Sequence, residues 1–213
     1  MINKYVFKIS TVFILLLIVV LIISGCSMGA DSKYESSSRT SPKETESSVQ
    51  ENIPQNETMV LLSPDGKYRA EAYGTLTDIT AGGFFPYEGV RVIDVKSEEV
   101  LWNKEPGGYT VKFLWSSDSR YVGIYFTYRI WGESVVADAK DKKEINLPKL
   151  ADLASHFGEE AKPHQDRPDP YLEITEWKDS ETVIVDFRWI KEDGDEFTGR
   201  YTYNVKTGVL TFQ

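Results

Sequence analysis

Cysteine and histidine are almost missing from this chain. Its 213 residues include one cysteine, Cys26, and two histidines, His156 and His164. A single thiol forms no intrachain disulfide, so stability must come from a packed core, and the length suffices for one domain of ordinary size. Two histidines without free cysteine offer too few strong ligands for zinc, so no metal is expected. Long apolar runs are also missing. The longest, Val12–Ile23, has twelve residues. Even counted from Ile9 it is shorter than the roughly 18–20 residues of a bilayer span. No glycine loop with a following lysine opens a helix, Ala81-Gly82-Gly83 included, which leaves nothing to cradle a phosphate and no cofactor to expect. No motif sets a serine nucleophile beside a histidine.

What is there begins at the N-terminal end. Lys4 and Lys8 precede the uncharged segment Ile9–Ile23, which runs into Ser24-Gly25-Cys26. A basic start, a short apolar middle and a small-residue cleavage site make up a secretory signal. With the lone cysteine placed there, the stretch resembles the bacterial lipoprotein lipobox. The resemblance implies cleavage between Gly25 and Cys26, a diacylglycerol (and palmitate) on the Cys26 thiol, and residence on the outer face of the cytoplasmic membrane. Two or more acyl chains make a stable anchor, whereas one binds only reversibly.

Removal of residues 1–25 leaves 22 basic and 33 acidic side chains, a net charge of −11. Nucleic acid phosphates and anionic headgroups repel such a chain, so no nucleic acid partner is expected. Residues 26–58 are rich in Ser, Lys, Glu, Gln and Asn, with nothing to bury, and read as a disordered tether. As a flexible coil it would reach about 30 Å. Residues 59–213 hold the aromatic and β-branched residues that favour strands.

Two landmarks recur there. An aspartate-centred polar turn precedes an apolar strand at Ser63-Pro64-Asp65-Gly66-Lys67-Tyr68, at Trp115-Ser116-Ser117-Asp118-Ser119-Arg120-Tyr121 and at Trp177-Lys178-Asp179-Ser180-Glu181-Thr182. Strands are expected over Tyr68–Tyr73, Tyr121–Tyr128 and Val183–Ile190. The second landmark is a strand with an Asp or Asn, then Lys, then a tight turn into a last short strand. It occurs around Asp94 and Lys96, Asp138 and Lys140, Asn204 and Lys206. Offsets of 53 and 61 residues between the opening aspartates point to an array of sheet units.

The pattern resembles blades of the β-propeller superfamily, in its TolB-type and WD-type members, whose opening turns read Ser-Pro-Asp-Gly-Lys. The first copy keeps that run, the second keeps Ser-Asp-Ser and the third Asp-Ser. Closed propellers have four to eight blades, and three copies fall short. The resemblance implies an all-β fold, a propeller-like stack of about three antiparallel strand–turn repeats. A sandwich is the other all-β form open to the sequence. Leu147, Leu150, Leu153, Ala154 and Phe157 add one short helix, with Pro148 at its entry and Gly158 at its exit. An extended loop, Lys162 to Pro170, follows it.

Candidate chemistry is sparse. His156 stands four residues after Asp152, which puts both on one helix face, as an exposed pair near a helix C-terminus. His164, among prolines, reads as solvated. The acidic run Glu192–Glu196 lacks the alternating ligands of a calcium loop and suits a hairpin turn. Four aromatics stand apart. Phe84, Phe85 and Tyr87 occupy a glycine-flanked loop, and Trp131 a turn before Gly132. Large apolar groups on surface loops mark contacts, while a loop folded back into the core is the competing reading. The expectation is a non-enzymatic binding or accessory module, held at the membrane by its lipid and free to meet a membrane or cell-envelope protein. A sensor or inhibitory subunit of a neighbouring membrane protein, and a carboxylate-based hydrolase, are the alternatives.

Overall fold

The computed structural model describes residues 55–213; the signal segment, Cys26 and the tether up to residue 54 lie outside the described residues. Twelve strands and one α-helix follow in order. The first meander comprises β1 (Met59–Leu62), β2 (Tyr68–Tyr73), β3 (Gly89–Asp94) and β4 (Val100–Lys104). The second comprises β5 (Thr110–Trp115), β6 (Tyr121–Thr127), β7 (Gly132–Asp138) and β8 (Lys143–Asn146). The third comprises β9 (Tyr171–Trp177), β10 (Thr182–Ile190), β11 (Glu196–Asn204) and β12 (Leu210–Phe212). Each is antiparallel throughout. The expected strand–turn repeat is thus a four-stranded unit, present three times.

The first meander is a sheet of its own. The second and third share a sheet through one parallel pair, Gly132 with Tyr171. Beyond that pair β7 and β9 diverge, and Ser134 bridges the gap: its hydroxyl donates to Leu172 O (2.8 Å) and accepts from Ile174 N (3.0 Å). Neither sheet closes on itself, since β1, β4, β5 and β12 are edges.

Period-2 alternation decides which faces meet. On β2, Ala70 and Ala72 pack with Val90, Val92, Val122, Ile124 and Phe126 in one core cluster. On β10, Val183, Val185, Phe187 and Trp189 pack with Tyr121, Val136 and Leu153 in a second. The middle meander contributes to both, and β6 is buried on both faces from Tyr121 to Phe126. Gly123 permits the close approach on that strand, because a Cβ there would lie 2.9 Å from Ile174 Cδ1. Each fully buried Val, Ile or Phe contributes about 1.5–3 kcal/mol, so these two layers dominate stability.

The outermost faces are charged instead. On the first meander Glu71 receives Arg69 and Arg91, and Arg69 also binds Glu98. On the third, Arg200 grips Asp186 and Arg188 pairs with Glu196 at 2.8 Å. Polar outer faces end an array, because a further unit would have to bury those ions.

The helix forms where expected. α1 (Leu150–Phe157) starts after Pro148 and stops at Gly158, whose φ of 68° suits glycine. The Lys149 N–H donates to the Asp152 carboxylate at 2.9 Å, which satisfies one donor at its start. Leu153 is fully buried, and Phe157 lies 5.0 Å from the ring of Phe197 and 4.9 Å from that of Phe212. The helix therefore covers part of the inner face of the third meander.

Candidate contact surface

Six tight turns occupy one end of the strands, and they repeat in detail. In the first opening turn the Ser63 hydroxyl donates to Asp65 (2.8 Å) and accepts from Tyr68 N (3.0 Å). Ser116 does the same with Asp118 (2.6 Å) and Tyr121 N (3.0 Å). Gly66 and Ser119 hold the same place with φ of 72° and 64°. The third opening turn is one residue shorter and closes from Lys178 N to Thr182 O. In the closing turns one side-chain oxygen accepts two N–H groups each time: Asp94 from Lys96 and Ser97, Asp138 from Lys140 and Asp141, Asn204 from Lys206 and Thr207. This is the side-chain mimic of a backbone turn that Asp and Asn supply. Bonds from Val95 N to Lys67 O, Ala139 N to Arg120 O and Val205 N to Glu181 O then tie closing turn to opening turn.

Contacts between neighbouring units repeat as well. Trp115 donates its indole N–H to Leu61 O (3.1 Å) and stacks on Tyr68 (6.2 Å). Trp177 donates to Leu114 O (2.8 Å) and stacks on Tyr121 (6.0 Å). The equivalent of these tryptophans in the first unit is Leu62, which is exposed, and the equivalent of the tyrosines in the third is Thr182. Neither end carries the residue that would continue the series.

Asp138 is the most deeply placed carboxylate of this end, 1% exposed. Burial pushes its proton affinity up, but Arg120 (2.8 Å) and the N–H groups of Asp141 and Lys140 outweigh it and hold the group below the usual aspartate range. Glu71 follows the same balance, with burial opposed by Arg69 and Arg91. Both are ionised structural anchors.

Irregular loops form the opposite end. Gly82 and Gly83 (φ 60° and 84°) turn the chain tightly, and Ala81 and Phe84 exchange both backbone bonds at 3.0 and 3.1 Å. Phe84 sits at that tip, 73% exposed. The loop is braced: Leu76 N reaches Pro86 O (2.9 Å), Asn56 Nδ2 reaches Phe85 O (3.0 Å) and the Tyr87 hydroxyl donates to Glu57 O (3.2 Å). Tyr87 packs against the first core cluster and its backbone pairs with Gly108, while Phe85 is half-buried. Trp131, also half-buried, stacks on Tyr128 at 4.0 Å beside exposed Ile130. Backbone bonds from Tyr87 to Gly108 and from Tyr109 to Thr127 link this turn to the aromatic loop. All four aromatics singled out in the sequence therefore lie on one rim. Phe84 is fully displayed, Phe85 and Trp131 partly, and Tyr87 is mainly a packing residue. Ile79 (50% exposed) belongs to the same rim and carried no aromatic signal to find it by.

The histidines take other roles. His156 stacks on Phe212 at 3.9 Å, while Asp152 is occupied at the helix start, so the two do not pair. His164 is half-buried rather than solvated. Its Nδ1 accepts from Asp166 N (3.2 Å) and Arg167 N (3.1 Å), which turns the proline-rich loop back on itself. The run after Lys191 is a hairpin turn, with Lys191 N bonded to Asp195 O and Gly194 at φ 90°. Among the described residues no three His, Cys, Asp or Glu side chains gather as a metal site. A hollow of about 570 Å³ on the outer face of the third meander is lined by paired charges, with Arg188 lying 4.0 Å over Tyr171.

No family model and no curated protein matches the chain. Among solved structures it is similar to the isopeptidase AtxE2 with Astexin3-dC4 bound: 13% identity, TM-score 0.42, covering 73% of this chain and 30% of that one. It is also similar to TolB from Acinetobacter baumannii: 11% identity, TM-score 0.30, covering 73% and 43%. The chain spans less than half the length of either. Both TM-scores are below 0.5, so neither neighbour speaks to activity.

Proposed function

We propose that this chain is a lipid-anchored, non-enzymatic binding or accessory module on the outer face of a bacterial cytoplasmic membrane, attached through Cys26. Its domain is an open, propeller-like stack of three units, and the rim bearing Phe84, Phe85, Tyr87 and Trp131 is its contact surface. The observation that carries the contact reading is Phe84. A phenylalanine displayed on a loop braced by backbone and side-chain bonds is costly to leave in water and adds nothing to the core.

Two substitutions test the two halves of this reading. Cys26→Ser should abolish metabolic labelling with fatty acid; a variant that still partitions into detergent at the mature size sinks the anchor. Phe84→Ser should change stability by less than about 0.5 kcal/mol, as exposed sites do, while removing rim contacts. A loss of several kcal/mol would make the loop core filling and leave it no binding role.

A further inference from the structure

The exposed apolar groups of the rim lie on its sparsely charged side, and the chain enters on that side. In residues 56–57, 75–88, 105–109 and 128–131 the charged side chains are Glu57, Asp78, Glu88, Glu105 and Arg129, five in 25 residues. In the loops of the third meander, residues 158–170 and 191–195, seven acids and three bases crowd into 18 residues. The exposed apolar groups Ile79, Phe84 and Ile130 all belong to the sparsely charged sector. The entering segment is bonded to that same sector, through Asn56 N to Thr75 Oγ1 (2.7 Å), Asn56 Nδ2 to Phe85 O (3.0 Å) and Tyr87 Oη to Glu57 O (3.2 Å). Between Cys26 and Gln55 there are 28 residues.

We infer that the occupant of this sector is the bilayer surface itself, a proposal that rests on the anchored reading above. Only 28 residues separate the anchor from this sector, so the anchor holds it closer to the headgroups on average than any other part of the domain. Phe84 at a two-glycine tip, with Ile79 and Ile130, supplies apolar groups that enter the acyl boundary, and partly buried Trp131 suits headgroup depth. The acids of the third meander are repelled by anionic lipid and tilt that side away. The turn-bearing end then points outward, and the domain sits with a fixed orientation instead of tumbling on its tether.

The test imposes the anchor, so that contact and lipidation fail separately. The chain from Cys26 onward is coupled through that thiol to a maleimide lipid in phosphatidylcholine vesicles with brominated acyl chains. Trp131→Phe is the background, and Phe84→Trp or Val209→Trp, both at exposed apolar positions, is the reporter. After subtraction of the background emission, which comes from Trp102, Trp115, Trp177 and Trp189, the indole added by Phe84→Trp is expected to lose about half its emission relative to unbrominated vesicles, and the one added by Val209→Trp at the opposite end to lose none, as for a shallow interfacial residue. Equal quenching of both, or of neither, overturns the proposal and leaves the rim free for a protein. If the asymmetry holds while cells fail to label Cys26, the contact stands and the anchor falls. Labelling of Cys26 without the asymmetry keeps the anchor and overturns the contact.

Discussion

Asp138 concentrates the repeat chemistry in one side chain. It accepts from Arg120 and from two backbone N–H groups while 1% exposed. Asp138→Ala removes all three bonds and leaves Arg120 with Asp141 alone. Because Arg120 is partly solvated, the expected loss is about 2–3 kcal/mol, below that of a fully buried pair. The pH dependence follows the same geometry. Asp138 and Glu71 both titrate below their unfolded values of 3.8 and 4.5. Their stabilisation is complete above the unfolded values and is lost as pH falls through the folded ones. Urea midpoints should therefore hold from pH 7 to about 5 and fall steeply below about 4. In Asp138→Ala that acid slope should be shallower; an unchanged slope would mean the carboxylate is not the group that titrates.

Between elements, the indole bonds are the repeated joint. Trp115→Phe and Trp177→Phe each remove one N–H donor to the preceding unit and keep the stacking ring. Each should cost about 1–2 kcal/mol by chemical denaturation. Similar losses are expected, since the two joints share one geometry; a loss at one site only would mean that the units are not joined equivalently. Much of this architecture is legible in the sequence. Tyr68–Tyr73, Tyr121–Tyr128 and Val183–Ile190 lie within one residue of β2, β6 and β10, because a polar turn followed by an alternating run is a local signal. The helix is legible for the same reason. The first strand of each unit is not. β1 has four apolar residues with no alternation, all of them exposed, and its place is set by Trp115 and β2 rather than by its own pattern. At the candidate surface, glycines and aromatics mark the right loops. They do not separate displayed Phe84 from packed Tyr87, because that depends on the bond to Glu57 and the pairing with Gly108.

Across the whole molecule, the middle unit has both faces covered and the outer units one each. Stability in a stacked array is a sum of unit and interface terms, so it is largest in the middle. Amide hydrogen exchange should accordingly be slowest in Val122–Phe126 of β6 and fastest in β1 and β12, with the first and third units between them. Uniform protection across the three units would mean a single cooperative block instead of an array.

β1 has a mechanical meaning too. The polypeptide arrives through Asn56 and Glu57, which bond to Thr75, Phe85 and Tyr87, and β1 is an edge strand paired with β2 alone over four residues and held by one indole bond. A pull on the arriving chain loads the Asn56 and Glu57 bonds first and then those pairs one after another, as a strip is peeled from its end. Tension on the arriving chain would therefore be released by lifting those bonds and β1 at low force. The two core layers beyond it would stay intact, and the strand could settle back when the load fell.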